Sequence, residues 1–487
     1  MQGRKTYQEK LFIHFQLSDY VPADNFYRRL KEMLDFDFLY ASTAGYYGRE
    51  GQKSIDPVVF MKLVLVGYLE NLGSDRRIVS AAGMRMDILY FLGYDLGEEL
   101  PWHSTLSRTR QLYGQEVFCE LFKRVLGQCI EKGMISGRRQ AVDGVYVKAN
   151  ASLDSMVRKD ILEDAENYAR ELKENEESPS PRSVEMKKTK DRHYPLLRPK
   201  KNPHNDTHIS PSDPDAKMSV KKGKAMALNY LGQVCVDTAS HMITHIQAFT
   251  ADRKDSMCLP VLLPQLVDNL KEQGLNMEEL LADTGYSSGE ALKALEDNNI
   301  IGYIPNRPQF IYERAGFTYD HDGDYYICPN GKQLTYRGTG MSLGYLNKYY
   351  RANKKECNVC PLRDKCTVFK NKSRGALIQE TVDKPYYDRM HLRMQTRKAK
   401  ILMKKRQSTV EPVIGTLVNY LGMKRVNTKG LAQANKCLTM AAIAYNLKKM
   451  LKFSPKKRID KLKRIKLAGK RLVQFIFDQL DLFVPAT

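Results

Sequence analysis

From residue 139 onward the chain leaves helical patterns for strand patterns, and the order in which the two then alternate restricts it to a mixed α/β sheet. Residues Arg139-Gln140-Ala141-Val142-Asp143-Gly144-Val145-Tyr146-Val147-Lys148-Ala149-Asn150 alternate β-branched and aromatic residues with others and read as a strand. Strand patterns resume at Lys217 to Tyr230, Gln233 to Thr238 and Met242 to Phe249. An amphipathic helix follows from about Ser256 to Glu272, then a buried strand at Leu280-Leu281-Ala282-Asp283. A helix from Ser287 to Asn298 and a short strand from Ile300 to Pro305 complete the run. Strands interleaved with single helices in this way build one sheet covered by helices.

The rest of the chain falls around this sheet. Residues 1–138 read as a helical domain, with Asp56-Pro57 as a helix start and apolar helical patterns at Val58 to Tyr68, Ile78 to Met84 and Val117 to Ile130. Between them, Pro101 and a Ser104-Thr105 cap precede a short helix that would carry Arg108, Arg110 and Gln111 outward. That is what a DNA recognition helix needs, and equally what a solvated helix of an all-α domain shows. The core then spans 139–306, with 152–212 as a charged insertion or linker rich in Pro and Lys. Residues 307–385 form a cysteine-bearing insertion, 386–450 return to helix (about Tyr386 to Asn419 and Leu431 to Lys449), and 451–487 are a basic tail.

The formal charge is +22, from 78 Lys+Arg against 56 Asp+Glu, which favours a polyanionic partner, nucleic acid first. No apolar run is long enough to cross a membrane, and Met1-Gln2-Gly3-Arg4-Lys5 leads into no signal-like segment, so a cytoplasmic location is expected. Of the nine cysteines, Cys328, Cys357, Cys360 and Cys366 are clustered, with a Cys-x2-Cys knuckle. Four thiolates can close a tetrahedral structural zinc site; the alternative is four free thiols. His241 and His245 share one face of a strand pattern but have no third ligand near, and read as core or surface histidines.

Three carboxylates stand out by context. Asp143 sits mid-strand, where a charge is costly unless it is paired or ligates a metal. Asp283 ends an apolar strand and enters a Gly turn, the place where an α/β sheet presents ligand-binding groups. Glu411 lies in a helix that can pack across both. Oxygen ligands suit Mg²⁺ or Mn²⁺, and two such ions about 4 Å apart suit phosphodiester chemistry. Taken singly, Asp143 could instead be a hydrogen-bonding strand residue, and Glu411 a surface charge.

The motifs Ala141-Val142-Asp143-Gly144, Ser212-Asp213-Pro214-Asp215-Ala216, Leu281-Ala282-Asp283-Thr284-Gly285-Tyr286-Ser287 and Val410-Glu411-Pro412-Val413-Ile414-Gly415 resemble those of bacterial insertion-sequence DDE transposases. Arg406, Gly422-Met423-Lys424-Arg425 and Ala444-Tyr445-Asn446-Leu447-Lys448 fit the same pattern. The resemblance implies an RNase H-like core with an all-α N-terminal domain and a cysteine-bearing insertion, which the Cys-x2-Cys reading makes a small zinc-binding one. It implies Asp143, Asp283 and Glu411 as the triad, binding two Mg²⁺ or Mn²⁺ ions. The activity implied is cutting at the ends of a mobile element and joining the freed 3′-hydroxyls to target DNA. DNA contacts are expected from Arg108, Arg110, Gln111, Arg406, Lys424 and Arg425, and from Lys457, Arg458, Lys461 and Arg464 of the tail. A homodimer on double-stranded DNA is expected, because two element ends must be brought together. Relatives that form hairpins carry a Tyr, Arg and Lys set around the glutamate; here Lys404, Gln407 and Val418 occupy those places. The alternatives are a domesticated DNA-binding protein of the same fold and a stand-alone nuclease.

Overall fold

The computed structural model describes residues 15–453, apart from 49, 51–53, 164–166, 168–169, 171–203, 221–224, 343 and 370–373. The part before the sheet is helical, as its periodicity predicts. Its main helices are α1 (Pro57–Leu69), α2 (Asp75–Met84), α3 (His103–Leu112) and α4 (Gln115–Glu131). Helix α1 starts at the expected signal. The Asp56 carboxylate accepts from the N–H groups of Val58 and Val59, and Pro57 sits in the first turn, where its missing N–H costs nothing. Phe60, Met61, Leu63, Val64, Leu65 and Val66 are all buried, so α1 has no broad polar face and runs through the interior. Helix α3 differs from expectation at its start: Trp102 is the cap residue, and Ser104 lies inside the first turn, accepting from Arg108 Nη2 at 3.1 Å.

The sheet is mixed. It comprises β1 (Arg139–Lys148), β2 (Lys217–Ser219), β3 (Ala227–Asp237), β4 (Ile243–Thr250), β5 (Glu279–Leu281) and β6 (Ile301–Tyr303). Helix α5 (Asp255–Glu272) connects β4 to β5, and α6 (Gly289–Asp297) connects β5 to β6. Strand β1 pairs antiparallel with β3, and β3 antiparallel with both β4 and β2 along its far edge. On its other side β1 pairs parallel with β5, which pairs parallel with β6. The first strand of the sheet therefore lies at its centre, flanked by hairpins on one side and helix crossovers on the other. Sequence patterning splits β3 at Leu231-Gly232; the structure carries the strand straight through, with Leu231 and Gly232 paired to Tyr146 and Val145 of β1 and Leu438 packed close to Gly232.

Alternating residues send the two faces of the sheet to different partners. Ala141, Val147, Tyr230 and Val234 join a core with the N-terminal helices and with the last two helices of the chain, Arg397–Tyr420 and Leu431–Leu451. Val142, Leu231, Cys235, Leu280 and Ala282 face α5 and α6. Residues 307–385, which carry few strand signals, build a separate five-stranded antiparallel sheet. Its strands are β7 (Thr318–Asp320), β8 (Tyr325–Ile327), β9 (Gln333–Ser342), β10 (Tyr345–Ala352) and β11 (Leu377–Thr381), paired in sequence order. Tyr326, Leu334, Tyr350 and Ile378 give it a small core of its own.

The single helix expected over Tyr386 to Asn419 is two, α7 (Lys384–Gln395) and α8 (Arg397–Tyr420). Thr396 takes extended backbone between them, and its side chain accepts from Ala399 N–H as an N-cap. Helix α9 (Leu431–Leu451) follows. Its start explains the Ser212–Ala216 motif: Asp213 Oδ1 accepts from Tyr230 Oη at 2.5 Å and Gly430 N–H at 3.1 Å, and Asp215 Oδ2 accepts from Leu431 N–H at 2.8 Å. These two aspartates hold a helix terminus to β3. The start of the charged segment is closed by a short pairing of Val157–Arg158 with His208–Ile209. Among the described residues no helix is long and apolar enough to cross a membrane.

Candidate active site

Strands β1 and β5 are parallel and pair with a constant offset: Arg139 with Glu279, Gln140 with Leu280, Ala141 with Leu281. The same offset carried forward two residues sets Asp143 beside Asp283, just past the end of β5. Asp143 belongs to the face of β1 that α8 covers, and Arg406 of α8 meets it there. Arg406 Nη2 lies 3.0 Å from Asp143 Oδ2 and 4.0 Å from Asp283 Oδ2. Arg406 is 5% exposed, and its Nε finds no acceptor.

Burial pushes the Asp143 carboxyl up to about 6, against the pull of Arg406 and with Asp283 adding to the rise. One guanidinium therefore does not offset the cost of holding this carboxylate out of water beside a second one. Each aspartate is further fixed by a backbone N–H that follows it. Asp143 Oδ1 accepts from Gly144 N–H at 2.9 Å, and Asp283 Oδ1 from Gly285 N–H at 2.8 Å.

Glu411 is not part of this contact set. It is five residues past Arg406 on an unbroken α8, which at 3.6 residues per turn leaves it roughly 140° around the helix. It is exposed, while Arg406, Val410, Val413 and Leu417 form the buried face. Among the described residues, no three His, Cys, Asp or Glu side chains converge closely enough to hold a metal ion. The expected triad thus appears here as two aspartates and an arginine, with the glutamate on the outer side.

The four clustered cysteines come together more than their separation in sequence required. Cys328, Cys357, Cys360 and Cys366 line one cavity of about 30 Å³ in the insertion. The Cys357 thiol is pushed up by burial first, and then by the other three sulfurs. All nine cysteines are free thiols.

The expected DNA contacts divide. Arg108 and Gln111 are exposed on α3, and Lys424 and Arg425 are exposed on the loop before α9. Arg110 is a correction: it is 4% exposed, and its guanidinium is locked onto the Asp75 carboxylate at 2.7 and 2.9 Å. A helix with Leu106, Thr109 and Arg110 on its buried side cannot send Arg110 into a groove. Arg406 is the second correction: its burial against Asp143 removes it from any DNA-facing surface and puts it inside the site. Lys457, Arg458, Lys461 and Arg464 lie outside the described residues. His245 is a buried core residue, its Nδ1 bonded to Asn269 at 3.1 Å, and His241 sits in a turn, so the two form no pair.

Residues 15–112 match the model of a transposase domain (DUF772), and residues 327–451 match the model of a transposase DDE domain. The second match contains Glu411 and the cysteine cluster, while Asp143 and Asp283 fall between the two. No curated protein matches the chain. Among solved structures the chain is similar to the piggyBac transposase synaptic complex with hairpin DNA, at 10% identity over 94% of this chain and 85% of that one, with a TM-score of 0.30. It is also similar to the Mos1 transposase paired-end complex with left transposon end, at 10% identity over 56% and 70%, with a TM-score of 0.16.

Proposed function

We propose that the chain is a DNA transposase of the DDE type, a reading its two matched domains support, with Asp143 and Asp283 as the core of the catalytic centre on an RNase H-like sheet. The observation that carries this is the shared register of β1 and β5, which sets the two carboxylates side by side with a buried cation between them. The sheet order supports the fold reading: a central first strand, an antiparallel hairpin partner on one side and two parallel strands on the other.

The donor set fits a hard divalent cation, Mg²⁺ or Mn²⁺, since it offers only carboxylate oxygens and already draws a cationic side chain into place. A metal bound there supplies Lewis-acid stabilisation of phosphoryl oxygens and of the attacking and leaving groups. Asp143 and Asp283 would hold it, with Glu411 proposed as the third carboxylate. Arg406 lies against both aspartates and offsets part of their mutual repulsion. The reaction proposed is hydrolysis at the element ends followed by attack of the 3′-hydroxyls on target DNA. Incubation of the protein with element-end duplex, target plasmid and Mg²⁺ tests it: joined products are expected, and cleavage without joining would make the chain a nuclease instead.

The insertion is proposed to hold one structural zinc through Cys328, Cys357, Cys360 and Cys366, supported by the four thiols sharing one cavity. Protein purified without chelator is then expected to contain about one zinc per chain. Metal analysis that finds none would remove the assignment. The helical domain is proposed to read the element ends through α3. Replacing Arg108 with Ala should weaken binding to the element end more than to random duplex, because one good base contact discriminates by about 1–3 kcal/mol. Titrations of both duplexes at several salt concentrations check this. An equal loss on both would make α3 a phosphate clamp. The proposed partner is double-stranded DNA, bound by a homodimer that brings two ends together.

A further inference from the structure

The first ten residues of α8, Arg397 to Arg406, carry six cations and no acidic residue. Three of the six are committed to the sheet. Lys398 pairs with Glu279, the first residue of β5, and Arg406 pairs with Asp143 and reaches Asp283, just past the end of β5. Lys405 is half-buried, within the field of Asp237 and Glu279. The helix thus runs the length of β5 toward the candidate site.

The other three cations face outward. Arg397, Lys400 and Lys404 are exposed, and none of them forms an ion pair among the described residues. At 3.6 residues per turn they fall within about 60° of one another around α8 and span about 10 Å of its axis. Glu411 is exposed in the same sector, about 10 Å further along.

This arrangement works against the helix that carries it. Arg397 and Lys400, and Lys400 and Lys404, stand at the spacings where like charges repel on a helix surface. Arg397 and Lys398 also open the helix, where the backbone dipole favours anions, and the first turn has no acidic residue. A polyanion laid along this face would offset both penalties. A DNA duplex presents about one charge per 1.7 Å of its axis, so 10 Å of helix surface meets several phosphates.

Building on the reading of the chain as a DNA transposase, we propose that the outer face of α8 is a phosphate track. Arg397, Lys400 and Lys404 hold the DNA backbone along the catalytic sheet and lead it toward the end where Asp143 and Asp283 stand. Such contacts position the duplex and carry no base information, unlike those proposed for α3.

The test is binding of labelled element-end and random duplexes to the full chain across several salt concentrations, with a thermal melt of each variant. The triple variant Arg397→Gln, Lys400→Gln, Lys404→Gln should bind both duplexes more weakly by the same factor. Its slope of log affinity against log salt should be shallower by about 2–3, since each phosphate contact contributes about 0.9. The melt should change little, because the three side chains are exposed. If the triple variant does not fold, Lys400→Gln with Lys404→Gln decides, with an expected change in slope of about 2. A wild-type slope in the folded variant overturns the proposal and means that something other than DNA lies on this face. A loss confined to the element end overturns it too, because the face would then be reading bases. If the wild-type chain itself binds neither duplex at low salt, the transposase reading fails, and the track with it.

Discussion

Replacing Asp143 or Asp283 with asparagine is expected to lower element-end cleavage by roughly a thousandfold, while the protein stays folded and binds DNA. Asparagine keeps the size of the side chain and removes its charge, so what is lost is the ability to hold a cation. Metal stabilisation of the transition state is worth several kcal/mol, and about 4 kcal/mol corresponds to about three powers of ten in rate. The folded state should tolerate the change. The Asp143 carboxyl is already pushed up to about 6 by burial, so the charged form is costly where it sits. Losing it relieves that cost while also losing the pairing with Arg406, and the two effects oppose each other. A cleavage assay paired with a thermal melt separates activity from stability. A variant that cleaves within tenfold of wild type shows that its aspartate is outside the catalytic centre.

Arg110→Ala should do the reverse, destabilising the protein by about 3 kcal/mol without a selective effect on element-end recognition. The Arg110 guanidinium binds both oxygens of Asp75, in the first turn of α2, and both side chains are largely buried. Truncating one member strands the other charge in a site closed to water, the costly way to break such a pair. The backbone around Arg110 is also a joint between domains, since Lys436 of α9 donates to the carbonyls of Arg110 and Tyr113. Chemical denaturation of Arg110→Ala beside Arg108→Ala checks the contrast. Stability within about 1 kcal/mol of wild type for Arg110→Ala would show that the Asp75 pairing is dispensable.

These two arginines stand two positions apart in one short helix, and nothing in their local sequence distinguishes them. What separates them is which side of α3 faces α2, a fact about packing between helices rather than about either residue. Arg406 is a similar case. Its place before Glu411 suggests a phosphate contact, yet five residues of helix turn the two side chains to different sides, and the packing of α8 on β1 decides which one faces the aspartates.

The sequence by itself determined the helical front, the strand and helix order of the core, and the two aspartates worth watching. Periodicity and turn chemistry are local, and a charge inside an apolar strand is conspicuous wherever the strand ends up. It also marked the cysteine cluster, though not the five-stranded sheet around it, whose short strands pair through Gly- and Tyr-rich stretches with weak alternation. Only the tertiary structure decided which residues meet. The parallel register of β1 and β5 sets Asp143 against Asp283 across about 140 residues of chain, and the rotation of α8 selects Arg406 over Glu411. Pairing register and helix rotation depend on contacts between segments far apart in the chain, so neither can be read from the residues of one segment.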